Sequence, residues 1–385
     1  MATRSAAAEP KRPAEVPEKA PASAERIIAI DALRGFDMFW IVGGREVLLT
    51  FVAMFAKPAP ALLSHHTQHV KWEGFVAWDL IMPLFLFVVG AAMPFSFSRR
   101  LEQGQSKGQL YAKIVRRAVI LFILGMACQG HLLDFKLATL HVFANTLQAI
   151  AVGYLIAGIV MLNVGIVGQV AFAILMLVSY WLLLRFVPLS GQEVGVLAER
   201  ANVARTVDEF VLGRFRDGTT YTWVLSGMTF TATVLLGVFS GHVLRSRLSP
   251  WMRVLVLTLL GIACLGAGWA WAEWLGFPII KHIWTSSMVL WAAGWSYLLL
   301  ALFYVVIDVL GFRRWAFPFV VIGMNAITIY VAWDFIPFAA IAKNLFDGLA
   351  SHLGSGGPFL LALATVTIWW LILYDLYRRK IFLRI

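Results

Sequence analysis

Ten apolar runs, each long enough to cross the hydrocarbon core of a bilayer as a helix, follow one another almost without interruption along this chain. They lie near positions 28–55, 74–98, 114–130, 141–163, 165–187, 223–243, 253–274, 286–309, 315–337 and 358–377. A transmembrane helix takes roughly 20 such residues, and in lipid the backbone must satisfy its own polar groups, which runs of this length do only as helices. The chain has 385 residues, of which 60% are hydrophobic and 14% charged, too little polar surface to cover a soluble core of that size. The expected fold is therefore all-α: a polytopic membrane protein with about ten transmembrane helices in one bundle. The first run is the most interrupted, by Asp31, Arg34, Asp37, Arg45 and Glu46.

Residues 1–25 are rich in Ala, Pro, Glu and Lys and hold no apolar stretch, so they read as a disordered cytoplasmic tail ahead of a membrane domain at 26–385. They lack the short apolar core of a cleavable signal peptide. Cys128 and Cys264 both fall inside predicted spans, which leaves no disulfide framework and no cysteine metal site. A net charge of +11 would suggest nucleic acid for a soluble protein, but here placement matters more than size. With the N-terminus inside, Lys and Arg concentrate on inner segments and the positive-inside rule puts both termini in the cytoplasm. That orientation sends His65, His66, His69, His131, His141, His282 and His352 to the outer side, with only His242 near the inner one. No internal repeat of the kind found in many secondary transporters is visible. The one long loop, 188–222, predicts a small amphipathic helix near "AERANVARTVDEFVLGRF" and is placed to lid an outer cavity.

Ionisable groups within a span are costly and mark a site by default. Asp31, Arg34 and Asp37 recur at i, i+3 and i+6, close enough for a carboxylate to pair with the guanidinium, either at a site or as an ion pair closing the inner end of the bundle. "HHTQH" puts imidazoles at His65, His66 and His69. The first and last could ligate a metal from one helix face, yet no HExxH motif or carboxylate-rich partner accompanies them, and no metal is expected. Asp79 follows ten residues after His69, which at about 1.5 Å per residue places it roughly 10 to 15 Å below the outer mouth. Pro83, Gly90 and Pro94 then make the second span irregular, as befits a helix that lines a cavity or packs closely.

Four segments, "DALRGFDMFWIVGG", "HVKWEGFVAWDLIMPLFLFVVGAAMPFS", "KHIWTSSMVL" and "FPFVVIGMNAITIYV", resemble in this order the hallmark segments of the heparan-alpha-glucosaminide N-acetyltransferase family, over positions 27–377. The pattern HxxWxGxxxxDLxxPxFxFxxG is the specific part. The resemblance implies a multi-pass enzyme that takes acetyl from cytosolic acetyl-CoA and delivers it to a glucosamine amine across the membrane. It also implies a catalytic role for the histidine of the pattern, which is His69 here. The family carries an asparagine shortly after DxxRG, where this chain reads "FWIVGGREV".

Elementary chemistry points the same way. An amine acceptor must lose a proton to attack a thioester, and imidazole is a base suited to neutral pH. His69 would take that proton with Asp79 orienting the ring; a two-step route through an acetylated His69 is the alternative. Arg99, Arg100, Arg116, Arg117, Arg313 and Arg314 on the inner side suit the phosphates of the acetyl-CoA co-substrate, although the positive-inside rule alone accounts for them. For substrate binding the candidates are Trp72, as a sugar platform or an interface-belt residue; Lys281 and Trp284 at an outer mouth; Asp37 and Arg34. Asn325 joins them, either as donor to the thioester carbonyl or as a helix-packing amide.

The sequence thus reads as a transmembrane acyltransferase of a bacterial inner membrane, moving acetyl from acyl-CoA to an extracytoplasmic amino sugar or glycan. Its partners are those two substrates and membrane lipid, with no nucleic acid and a homo-oligomer left open. The alternative is a proton-coupled sugar or peptide transporter in which His69, Asp79 and Asp37 relay protons.

Overall fold

A computed structural model describes residues 27–56, 58–188 and 193–382, and the tail expected at 1–25 lies outside them. The described residues form fifteen α-helices and no strands: α1 Ile28–Phe39, α2 Arg45–Ala53, α3 Ala61–His66, α4 Ile81–Glu102, α5 Lys107–Cys128, α6 Thr146–Asn163, α7 Ile166–Phe186, α8 Val203–Leu212, α9 Gly227–Arg245, α10 Pro250–Trp274, α11 Ser286–Tyr304, α12 Phe317–Met324, α13 Ala326–Phe335, α14 Phe338–His352 and α15 Gly357–Arg378. All ten apolar runs fall on helix. Among the described residues seven helices are individually long and apolar enough to cross a membrane, or eight if α12 and α13, bent by 74° at Asn325, count as one. The other two runs depart from a plain span for visible reasons. The first is split between α1 and α2 by a π-helical turn, Trp40–Gly44, where Gly43 takes φ +134. The run at 114–130 lies in α5, whose first half carries Lys107, Lys113, Arg116 and Arg117. A helix the sequence reading did not anticipate, α14, follows α13.

Helix starts follow their side chains. Ser106 and Asn145 open α5 and α6 with capping boxes completed by Gln109 and Gln148. Ser249 caps α10 with Pro250 at its first position, and Thr285 caps α11. The cap of α1 is long-range: Asp308, in the π turn Val305–Val309 after α11, accepts from the backbone N–H groups of Ile28 at 3.1 Å and Ala29 at 2.9 Å. This bond ties the beginning of α1 to the end of α11.

Glycines set the closest helix crossings. A Cβ on Gly90 of α4 would lie 2.0 Å from the Val234 carbonyl oxygen of α9, and one on Gly237 of α9 would lie 2.0 Å from the Phe87 oxygen. "GVFSG", Gly237 to Gly241, is a GxxxG pattern, and backbones pack at this spacing only where no side chain intervenes. The α4–α9 pair fixes the position of the α4 N-terminus, where the candidate site begins.

Candidate active site

The segment between α3 and α4 is irregular, and that irregularity builds the site. Thr67 ends α3 by turning its hydroxyl back to the Leu63 oxygen at 2.8 Å. Gly74, at φ +112, lets its N–H reach the Ile279 oxygen at 2.9 Å, which docks the segment onto the loop between α10 and α11. A single 3₁₀ turn, Ala77–Leu80, leads into α4, and within it Asp79 Oδ2 accepts from the Val76 N–H at 3.2 Å. The chain doubles back as a result, and Asp79 Oδ1 stands 2.6 Å from His69 Nδ1. The expected 10 to 15 Å depth assumed helix from His69 onward. Regular α-helix starts only at Ile81, so the nine residues between His69 and Asp79 form a return that brings the carboxylate back to the ring.

Lys281 arrives from the opposite side. Its loop is pinned by Thr285, whose hydroxyl accepts from the Ile280 N–H at 3.1 Å and donates to the Pro278 oxygen at 2.9 Å. Trp284, at φ +51, anchors the same loop through its indole N–H to Thr233 Oγ1 at 3.2 Å. Lys281 Nζ then lies 3.5 Å from Asp79 Oδ1 and 3.3 Å from His69 Nδ1.

A contact of 2.6 Å between a ring nitrogen and a carboxylate oxygen needs a proton between them, so Nδ1–H donates to Asp79 and Nε2 is the ring nitrogen outside this bond. The ammonium of Lys281 therefore pairs with Asp79 rather than with the ring. Burial pulls that ammonium down from its ordinary 10.5 to about 8, with the charges of Asp79 and Asp37 holding it up, so it stays mostly cationic at neutral pH. The side chain of His69 is 43% exposed while that of Asp79 is 1% exposed. The imidazole thus lies on the more exposed side and the carboxylate lies buried behind it.

Aromatic rings line this end. Trp72 donates its indole N–H to the Leu197 oxygen at 2.9 Å and packs on His282 at 5.4 Å, which meets Tyr221 edge-on at 4.5 Å. Burial, reinforced by the neighbouring Lys281 charge, pushes His282 down to about 4, so it is neutral at working pH. The segment 193–222 covers this corner and contains the expected small helix, α8. Buried Asp208 on α8 accepts from the N–H groups of Trp223 at 2.7 Å and Val224 at 2.9 Å just ahead of α9. Burial raises this carboxyl to about 6, those two bonds opposing.

The remaining expected residues are dispersed. Trp284 is 1% exposed and serves as a core anchor, not a mouth residue, because its loop folds inward. Arg34 pairs with Asp31 at 3.2 Å and reaches the Gly323 oxygen at 3.4 Å. Asp37 is buried and its carboxylate oxygens have no hydrogen-bond partner among the described residues; the charge of Lys281 links it to the cluster. Asn325 sits at the α12–α13 break and donates to the Ile381 oxygen at 3.2 Å, so the structure does not bring it to His69. Nor do the six arginines form one cradle. Arg116 lines a cavity of about 390 Å³ with Gln105, Gln109, Ala112 and Lys113, and Arg313 lines another of about 300 Å³ with Ile28, Phe317, Val320 and Tyr377. Arg117 lies over the Tyr154 ring at 4.6 Å, while Arg99, Arg100 and Arg314 line neither cavity.

One residue beside the cluster was missed. Arg45, at the start of α2, donates from Nε to the Thr67 oxygen at 2.8 Å and lies 5.6 Å from the centre of the Trp78 ring, which packs on His69 at 6.4 Å. Its signal was present in the sequence as a guanidinium inside the first apolar run, a placement that by default marks a site.

Fold and site together define a polytopic helical membrane protein with an imidazole–carboxylate–ammonium cluster at one end of its bundle. Comparison with known proteins finds distant relatives. The chain is 24% identical to the heparan-alpha-glucosaminide N-acetyltransferase of Mus musculus, over 96% of its own length and 62% of that protein, and 25% identical to that of Homo sapiens, over 83% and 56%. The chain thus spans about three fifths of the length of these curated relatives. No family model matches it.

Proposed function

We propose that this protein is a membrane-embedded acyltransferase that takes acetyl from acyl-CoA at the arginine-rich end and transfers it to an amino sugar or glycan at the His69 end. The His69–Asp79 pair carries the reading: a ring held by a buried carboxylate at 2.6 Å, with the imidazole itself partly exposed, is a general base suited to take a proton from an acceptor. The names of the two relatives point to the same chemistry. In this reading Trp72, with its N–H already engaged by Leu197, offers a sugar its ring face. The cavities beside Arg116 and Arg313 are where guanidinium groups meet the CoA phosphates. The segment 193–222 acts as a lid, and the basic end faces the cytoplasm of a bacterial cell, with both termini there.

During transfer the acceptor nitrogen forms its bond to the acetyl carbon, the carbon–sulfur bond breaks, and the proton lost by nitrogen passes through His69 Nε2 to leave with the CoA thiolate. Labelled acetyl-CoA and glucosamine, given to purified protein in liposomes, test this directly. Acetylated product that vanishes in His69→Ala supports it, and failure of the wild type to bind acetyl-CoA sinks it. A proton-coupled carrier is the second reading, favoured by Asp37, a buried carboxyl with no fixed partner. A carrier would ignore acetyl-CoA.

A further inference from the structure

Acyl transfer at His69 calls for a donor to the acyl oxygen. When a nucleophile adds to the acetyl carbonyl, the π electrons move onto oxygen, and a preorganised cation or N–H at that point stabilises the transition state more than the ground state. Lys281 is committed elsewhere: it is buried, lies beside Asp79 and approaches the Nδ1 edge of the ring, away from the nitrogen that acts as base. Asn325 donates to the Ile381 oxygen. Arg45 is placed otherwise. The π turn at Trp40–Gly44 ends α1 and restarts the helix at Arg45, whose side chain is 30% exposed. Its Nε holds the Thr67 oxygen, two residues before His69, and its Nη1 meets Glu46 at 3.2 Å. The guanidinium lies over Trp78, which is adjacent in sequence to Asp79 and packs on the His69 ring. One fork therefore touches both segments that build the base, and Nη2 has no hydrogen-bond partner among the described residues.

We propose that Arg45 is the group that receives the negative charge on the acyl oxygen during transfer at His69, held for that task by the Thr67 carbonyl and the face of Trp78. The inference rests on the acyl-transfer reading. Addition of the acceptor amine forms the carbon–nitrogen bond and places an electron pair on oxygen beside Nη2. Collapse restores the carbonyl, breaks the carbon–sulfur bond and expels the thiolate, which takes the proton that His69 removed. Atoms and electrons balance without another reactant. A guanidinium suits the role because it is planar, always charged and keeps donors free while others are tied to the protein.

Arg45→Gln keeps N–H donors and removes the charge, and Arg45→Ala opens space for a soluble guanidinium ion. Acetyl transfer by both variants is measured beside the wild type, with acceptor saturation curves, thermal melting and added guanidinium. The expected result is a loss in kcat of about 100-fold with little change in the acceptor KM, and partial recovery of Arg45→Ala as guanidinium is added. Wild-type kcat in Arg45→Gln overturns the inference while leaving the acyltransferase reading intact. A rate loss that tracks a lowered melting temperature and that guanidinium does not restore also overturns it, since Arg45 would then be only a tether for Thr67. A wild type that neither binds acetyl-CoA nor transfers acetyl removes both readings together.

Discussion

Asp79→Asn is the substitution that most directly tests the site, because the side chain keeps its shape and loses only charge and one acceptor. In the native arrangement Oδ1 takes the proton on His69 Nδ1 at 2.6 Å and Oδ2 takes the Val76 N–H at 3.2 Å. Asparagine has a single oxygen for those two donors. If that oxygen stays with Val76, the amide NH₂ faces Nδ1, the ring proton must move to Nε2, and the base is capped. If it turns to His69, the NH₂ opposes the Val76 N–H and leaves buried donors unmatched, at about 1–3 kcal/mol. In either case Lys281, 3.5 Å away and buried, loses its counter-ion; breaking a buried pair costs about 3–5 kcal/mol. Loss of general-base catalysis is worth roughly 10²–10⁴ in rate, so kcat should fall by that factor, while the acetyl-CoA KM, which the proposed function assigns to the cavities lined by Arg116 and Arg313, should hold. The assay is labelled acetyl transfer in liposomes across the neutral pH range, with folded protein confirmed by gel filtration. A folded Asp79→Asn protein that turns over at the wild-type rate would refute the assignment of Asp79 as the orienting partner.

Three further outcomes follow from the same geometry. Burial and the Lys281 charge push His282 down to about 4, so His282→Gln should leave the acid limb of the pH–rate profile near neutral pH where it is; a displaced limb would mean that His282 titrates with the reaction. Asp208 has its folded-state pKa raised from 3.8 to about 6, so the folded state holds the proton more tightly and this group's contribution to stability falls as pH rises from about 4 to about 6; Asp208→Asn should remove that slope from melting curves and lower the melting temperature for want of an acceptor for Trp223 or Val224. Gly237→Leu drives a side chain into a space where even a Cβ would stand 2.0 Å from the Phe87 oxygen; overpacking of this kind costs about 1–3 kcal/mol or more, and a variant that melts with the wild type would contradict the α4–α9 crossing.

The fold was legible because lipid simplifies the reading. All ten apolar runs are helical, and the departures sit where the sequence breaks its own pattern, at the Gly43–Gly44 pair and at the basic first half of α5. The bend at Asn325 and the extra helix α14 were not legible. "GMNAITIY" carries no proline or glycine pair at the break, and α14 mixes Lys343, Asn344 and Asp347 with apolar residues, so neither hydropathy nor breaker residues mark it out. The predicted helix in the long loop was found at α8, where Asn202 supplies the cap.

The site was legible in its residue types and illegible in its distances. His69 and Asp79 could be named from their motif and from the rarity of charge within spans, yet their contact depends on an irregular return through the nine residues between them, which helical spacing would have pulled apart. Lys281 is more than two hundred residues from His69, and only tertiary packing, through the Gly74 N–H and the Thr285-pinned turn, delivers it. The arginines fail in the opposite sense. The positive-inside rule acts on each loop separately and by itself produces such clusters, so proximity along the chain predicts no shared pocket: Arg116 lines a cavity while its neighbour Arg117 lies over the Tyr154 ring. Arg45 marks the boundary between the two cases. A charge within an apolar run was a sound signal, but its place in the sequence did not say what it holds; the structure puts it on the Thr67 carbonyl and the Trp78 ring, which flank His69 along the chain. In a chain like this, an intramembrane charge is best weighed by the loop it restrains, since the loop places the chemistry and the helices only carry it to the same end of the bundle.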